Sequence, residues 1–178
     1  MTPPRATLAE LEAAIRNVPD FPKPGIQFKD ITPVLANPRL FAGAVDWLTG
    51  PHPPGSVDAV AGIEARGFIF AAAAALQLGA GLVPVRKQGK LPWRTIEESY
   101  ELEYGSNTVA MHVDAVRPGA RVLLLDDLLA TGGTALAAAT LLRRLGAQVV
   151  EVAFVIELGF LHGRDRLPGL PIRSLIRC

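Results

Sequence analysis

The stretch Val122-Leu-Leu-Leu-Asp126-Asp127-Leu-Leu-Ala130-Thr131-Gly132-Gly133-Thr134 runs from four aliphatic residues into two adjacent acids and then into a turn of hydroxyls and glycines. That order suits a sugar phosphate. Val122 to Leu125 have the character of a strand buried on both faces, and where the chain leaves the sheet the carboxylates of Asp126 and Asp127 can accept hydrogen bonds from vicinal sugar hydroxyls. Ala130, Thr131, Gly132, Gly133 and Thr134 lead into a helical stretch reaching Leu145. Their backbone N–H groups and hydroxyls can therefore converge on an anion at a helix N-terminus. The glycines allow the backbone to approach the ligand without an intervening side chain.

Two commoner phosphate-binding patterns do not occur at this turn. There is no Gly-Lys-Ser/Thr of a P-loop and no Gly-x-Gly-x-x-Gly of a dinucleotide fold. A bare Thr-Gly-Gly-Thr also suits an ordinary strand–turn–helix, so the preceding acid pair is the discriminating feature.

Those residues need a scaffold, and the chain has the means to build one. Its 178 residues, 49% hydrophobic and 20% charged, fit one globular domain with a sizeable core. A formal net charge of +1 gives no global field for nucleic acid or an anionic membrane, so neither is expected as a partner and any anion site must be local. The single cysteine, Cys178, cannot form an internal disulfide and is misplaced for prenylation. With no signal-peptide pattern at the N-terminus, a cytoplasmic location is expected. The uncharged run Gly67–Val85 approaches the length of a membrane span, but Gly79, Gly81 and Pro84 interrupt it. It reads instead as a buried helix over 68–78, stopped by Gly79, and a strand over 82–85.

Elsewhere, Thr7-Leu-Ala-Glu10 has capping-box spacing and predicts a helix over about 7–17, and Asn37-Pro38 predicts a second to about Leu48. Apolar segments at 57–61, 82–85, 122–125 and 149–156 alternate with helical stretches at 68–78 and 133–145. The fold class expected is α/β, a mainly parallel twisted sheet flanked by helices. Residues 87–114 break this rhythm. Their turn-rich start and the strand-like 99–113 predict a hairpin lid that closes over a ligand.

Three further segments carry a resemblance: Phe21-Pro-Lys-Pro-Gly-Ile-Gln-Phe-Lys-Asp-Ile-Thr-Pro33, Gly62-Ile-Glu-Ala-Arg66-Gly67-Phe68, and Val85-Arg-Lys-Gln-Gly-Lys-Leu-Pro92 with Glu101-Leu-Glu-Tyr-Gly105. Together with the 126–134 motif they make the chain similar to the adenine phosphoribosyltransferases of the type I phosphoribosyltransferase family, from about residue 18 to 167. The resemblance implies a single domain over 1–178, with an N-terminal base-binding hood over about 1–35 and a flexible lid over about 87–114. It further implies the reaction of adenine with 5-phosphoribosyl diphosphate (PRPP) to give AMP and diphosphate, with Mg²⁺ held mainly by PRPP oxygens and water.

On this resemblance Arg66 serves the diphosphate. Lys87, with Lys90 beside it, reaches the diphosphate in a neighbouring subunit's site, which implies a homodimer. Phe28 would stack on the purine while backbone groups of Gln27 and Lys29 read its edge. Glu103 is the first candidate for the purine proton and Glu101 the second, since strand alternation puts both on one face; Tyr104 would close over the ligands. Phosphoribosyltransferases for 6-oxopurines commonly carry an acid where this chain has Ala130, which disfavours hypoxanthine and guanine. Another purine such as xanthine, or a PRPP-sensing regulator, is the alternative; the stretch before Phe21 is short for a DNA-binding module and its helix carries no basic face.

Overall fold

The computed structural model describes residues 5–101 and 105–178. The chain divides into two compact units, one extending to Trp47 and the other Leu48–Cys178.

In the first unit, helix α1 (Leu8–Ala14) opens with the expected capping box: Glu10 N–H donates to Thr7 Oγ1 at 3.2 Å and Thr7 N–H to Glu10 Oε2 at 2.8 Å. The helix is shorter than the 7–17 predicted. Ile15 is already extended, and Arg16–Val18 form strand β1, paired antiparallel with β2 (Phe28–Asp30). The strand pairing takes the residues that apolar spacing alone assigned to the helix. A short helix α2 (Thr32–Ala36) follows, which the sequence reading lacked, and then α3 (Pro38–Thr49). Asn37 caps α3 as expected, its Oδ1 accepting from the N–H groups of Arg39 at 3.0 Å and Leu40 at 3.2 Å. Trp47 Nε1 donates to the Ala6 carbonyl at 2.8 Å, tying the end of this unit to its beginning.

The second unit is a seven-stranded sheet in the order β5-β6-β4-β3-β7-β8-β9. Its strands are β3 (Ala59–Ile63), β4 (Gly81–Lys87), β5 (Thr95–Glu101), β6 (Ser106–His112), β7 (Arg121–Leu129), β8 (Gln148–Glu157) and β9 (Ile172–Arg177). Helix α4 (Gly67–Leu78), closed by Gly79, joins β3 to β4, and α5 (Gly133–Arg144) joins β7 to β8. The pairs β4–β3, β3–β7, β7–β8 and β8–β9 are parallel, while β6 runs antiparallel to β4 and β5. The two crossovers step away from the β3–β7 pair in opposite directions. With right-handed connections this sends α4 and α5 to opposite faces and opens a crevice at the carboxyl ends of β3 and β7.

Three boundaries differ from the sequence reading in a way that matters. The first strand of the main sheet, β3, lies at 59–63 rather than 57–61. β7 does not end at Leu125 but continues to Leu129, because β8 pairs with it as far as Leu129↔Glu157 even after β3 stops at Gly62↔Leu125. Asp126 and Asp127 thus sit on a strand, held by its backbone, rather than in the turn after it. The hairpin begins at Thr95, and its strands are the edge of the main sheet, with Lys87 paired to Val109. β9 was not anticipated: its arginines interrupt the apolar run. Among the described residues no helix is long and apolar enough to cross a membrane.

Candidate active site

The core explains why the acids stay fixed. Val122, Leu123, Leu124 and Leu125 are fully buried in the centre of the sheet, so the backbone that follows enters the crevice with little freedom. Gly67, the first residue of α4, lies against it. A Cβ there would stand 2.8 Å from Asp126 Oδ1 and 3.0 Å from the Leu125 carbonyl, so only glycine lets the helix start this close to the acids.

A cavity of about 390 Å³ occupies the crevice. Its walls include Glu64 and Arg66 after β3, Lys87 at the end of β4, Tyr100 and Asn107 of the hairpin, and Asp126, Asp127 and Thr134. A smaller hollow of about 70 Å³ shares Asp126, Leu128 and Thr134 with it and is lined by Ala130, Thr131 and Gly132. Gly133, the first residue of α5, meets the Tyr100 ring: a Cβ there would stand 2.9 Å from Tyr100 Cδ2. The structure therefore brings Arg66, Lys87, Asp126, Asp127 and the 130–134 loop together from three strand ends and one helix start.

The electrostatics are set by the acid pair. Asp127 is 5% exposed, and Arg66 Nε stands 2.6 Å from its Oδ2. Its own N–H donates to Asp126 Oδ1 at 2.8 Å. Burial, reinforced by the neighbouring Asp127 charge, pushes the Asp126 carboxyl well above the usual carboxylate range. Burial also raises Asp127, against the opposing pull of Arg66. Such a pair attracts hydroxyl donors and positive charge.

Other expected residues lie elsewhere. Lys90 is not in either cavity wall; its carbonyl accepts from Arg86 Nη1 at 2.9 Å in the turn after β4. Glu101 is on the exposed face of β5, the alternate side from Tyr100. Glu103 and Tyr104 fall outside the described residues. Gln27, Phe28 and Lys29 belong to the first unit. There Phe28 meets Phe21 edge to face, with ring centroids 5.1 Å apart; Gln27 directly precedes β2 and Lys29 lies within it.

Glu64, Tyr100 and Asn107 line the cavity without having been singled out. Glu64 accepts from the Lys87 N–H at 2.9 Å and from Arg86 Nε and Nη2 at 3.3 Å each. Burial raises its pKa, but these donors outweigh it and leave the carboxyl below its ordinary value. It anchors the end of β4 that carries Lys87. Its position directly after an apolar strand and two residues before Arg66 was a usable signal; Tyr100 needed the register of the hairpin.

Residues 33–167 match the phosphoribosyl transferase domain. An adenine phosphoribosyltransferase of Acidothermus cellulolyticus is 59% identical over 175 residues, 98% of this chain and 99% of that one. The crystal structure of adenine phosphoribosyltransferase from Rhodothermus marinus superposes with a TM-score of 0.92 at 53% identity, covering 96% of this chain and 98% of that chain. The Saccharomyces cerevisiae enzyme, solved with adenine and an imino-altritol bisphosphate, gives 0.89 at 42% identity over 94% and 97% of the two chains. The likeness in sequence and in fold runs over nearly the full length, and this chain belongs to the adenine phosphoribosyltransferase family.

Proposed function

We infer that this chain transfers the 5-phosphoribosyl group of PRPP to adenine, giving AMP and diphosphate, a purine salvage reaction. The observation that carries the site assignment is the meeting of Arg66 and Lys87 with Asp126 and Asp127 in one cavity, beside the hollow formed by Ala130 to Gly132. Cleaving the C1′–O bond of PRPP builds positive charge on the ribose ring and negative charge on the departing diphosphate. Asp126 and Asp127 accept from the 2′- and 3′-hydroxyls and favour the ring cation. The N–H groups and hydroxyls of Thr131 to Thr134 hold the 5′-phosphate at the start of α5. Arg66 and Lys87 receive the diphosphate. Positioning and charge suffice, and no covalent nucleophile is needed.

Phe28, Gln27 and Lys29 are proposed for adenine, by stacking and by backbone donors and acceptors matched to its amino edge. Ala130 in place of an acid favours adenine over 6-oxopurines. For the purine proton, Glu103 is proposed first and Glu101 second, the order that the resemblance implies; Tyr104 is proposed to cover the bound ligands. Lys90 is retained only as part of the basic edge of the lid.

Mg²⁺ fits this site as a passenger of PRPP. The cavity wall offers the hard oxygens of Glu64, Asp126 and Asp127, while among the described residues no three His, Cys, Asp or Glu side chains are grouped to hold an ion by themselves. Bound to PRPP, the ion would neutralise diphosphate charge.

A homodimer is proposed, supported by the exposed apolar side chains of Ile69, Leu76 and Leu82; Lys87 lines the cavity of its own chain, so its service to a neighbouring subunit's site is kept as a second reading. A cytoplasmic location suits the free Cys178. The deciding experiment is AMP formation from a panel of purines with PRPP and Mg²⁺. Adenine alone should react well; faster turnover of xanthine or hypoxanthine would overturn the substrate assignment, and PRPP binding without turnover of any base would favour a regulator.

A further inference from the structure

At the end of β8 a charged cluster takes no direct part in this scheme. Glu157 is 3% exposed, and both its oxygens accept from Arg164 Nε at 2.8 Å. Ser174 Oγ donates to Glu157 Oε2 at 2.7 Å, and Arg177 Nε stands 3.5 Å from Oε1. Arg164 also donates to the Ile172 carbonyl at 3.1 Å and to Ser174 Oγ at 3.3 Å. One guanidinium thus joins the end of β8 to two residues of β9. The Arg164 hydrogen bonds hold the Glu157 carboxyl below the usual carboxylate range, in keeping with a charged and fully engaged group.

The residue just before Arg164 meets the phosphate loop. A Cβ on Gly163 would collide with the Ala130 carbonyl and stand 2.9 Å from Leu129 Cδ1. Reciprocally, a Cβ on Gly132 would strike the Gly163 carbonyl and stand 3.3 Å from Arg166 Cβ. Nearby, Leu158 N–H donates to the Leu129 carbonyl at 2.9 Å. The two backbones are in contact with no side chain between them, so a displacement of Gly163 is transmitted to Ala130 and Gly132.

We propose that Glu157, Arg164 and Ser174 are positioning residues for PRPP: their network locks the turn at 158–166 so that Gly163 buttresses Ala130 to Gly132 in the shape that receives the phosphate. None of the three lines the site. The inference rests on the assignment of the 5′-phosphate to residues 130–134. Arginine is suited to the task because its planar fork reaches Glu157, Ser174 and the Ile172 carbonyl together, whereas a lysine ammonium is a point charge on a flexible stem. A small misplacement of the loop is enough to weaken binding, since positioning errors near 1 Å can cost up to about a hundredfold.

The test compares steady-state kinetics of Glu157→Gln, Arg164→Lys and Ser174→Ala, with Thr131→Leu as the reference for the loop itself. Glu157→Gln and Arg164→Lys should raise the KM for PRPP about tenfold, with kcat at saturating PRPP changed by less than about threefold. Ser174→Ala, which keeps the ion pair, should move KM in the same direction by less. If Glu157→Gln does not fold, Arg164→Lys and Ser174→Ala decide by the same measure. A purely structural role would lower the thermal midpoint and leave the PRPP KM at the parent value. That result, beside an impaired Thr131→Leu, overturns the positioning role alone. An unimpaired Thr131→Leu would instead overturn the phosphate assignment.

Discussion

Arg66 Nε stands 2.6 Å from Asp127 Oδ2, so the cation proposed for the departing diphosphate is paired, before substrate arrives, with an acid proposed for the ribose diol. PRPP would have to insert between them, offering hydroxyls to Asp127 and phosphoryl oxygens to Arg66. The internal pair keeps the buried acid compensated until that exchange occurs. Arg66→Gln should lower kcat/KM for PRPP by about two orders of magnitude, the scale seen when one preorganised donor to developing negative charge is removed. Steady-state kinetics at saturating adenine checks this.

Thr131 lines the smaller hollow. Replacing it with leucine puts an apolar branch where the phosphate is proposed to bind, and the KM for PRPP should rise about tenfold or more while the folded state persists. Isothermal titration with PRPP and Mg²⁺ should show the same loss.

Asp126 tests the opposition between stability and activity. Its folded pKa is raised, so ionising it costs the folded state stability once the pH exceeds the ordinary value of 3.8. Asp126→Asn should therefore stabilise the ligand-free protein at pH 7 by about 1 kcal/mol while abolishing most activity. The gain should vanish as the pH falls below 3.8. Denaturant midpoints at pH 7 and pH 3.5 measure it.

Two carboxylates that line neither cavity predict acid sensitivity of the opposite sign. Hydrogen bonds from Arg39 and Thr7 hold Glu10 at about 2 against an ordinary 4.5, and Arg121 holds Asp58 at about 2 against 3.8. Lowered values favour the folded state above the ordinary pKa, and that contribution is lost as the pH falls toward 2. Glu10 is exposed and Asp58 partly exposed, so solvent screens both and each effect is modest. The thermal midpoint should decline between pH 4.5 and 2, and less steeply in Glu10→Gln and Asp58→Asn.

Lys87 tests the shared site. Mixing Lys87→Ala chains with Thr131→Leu chains should restore activity above that of either alone if Lys87 serves a neighbouring subunit. No recovery after verified subunit exchange would confine each site to one chain.

Much of this was legible in the chain. Local chemistry marked the capping box at Thr7, the Asn37 cap, the Gly79 stop and the turn at Ala130 to Thr134, since each depends on residues adjacent in sequence. The α/β class followed from the alternation of short apolar runs with helical stretches. What required three dimensions were the features set by pairing. β1 took residues from the end of the first helix because Val18 had a partner in Phe28. β7 ran on past Leu125 because β8 was long enough to stay with it. Tyr100 entered the cavity wall through a hairpin register that periodicity does not reveal, and Glu157 joined Arg164 across a turn whose composition gave no sign of order.

Gly132 and Gly163 press backbone to backbone, and this has a meaning for how such a chain can change over generations. Neither position can accept even alanine while the other backbone stays in place, although the two are encoded far apart. Drift at one is not relieved by drift at the other, because doing without a β-carbon is the only accommodation glycine offers and both have already made it. Lineages that retain this turn should therefore keep both glycines together or relinquish both with the loop itself.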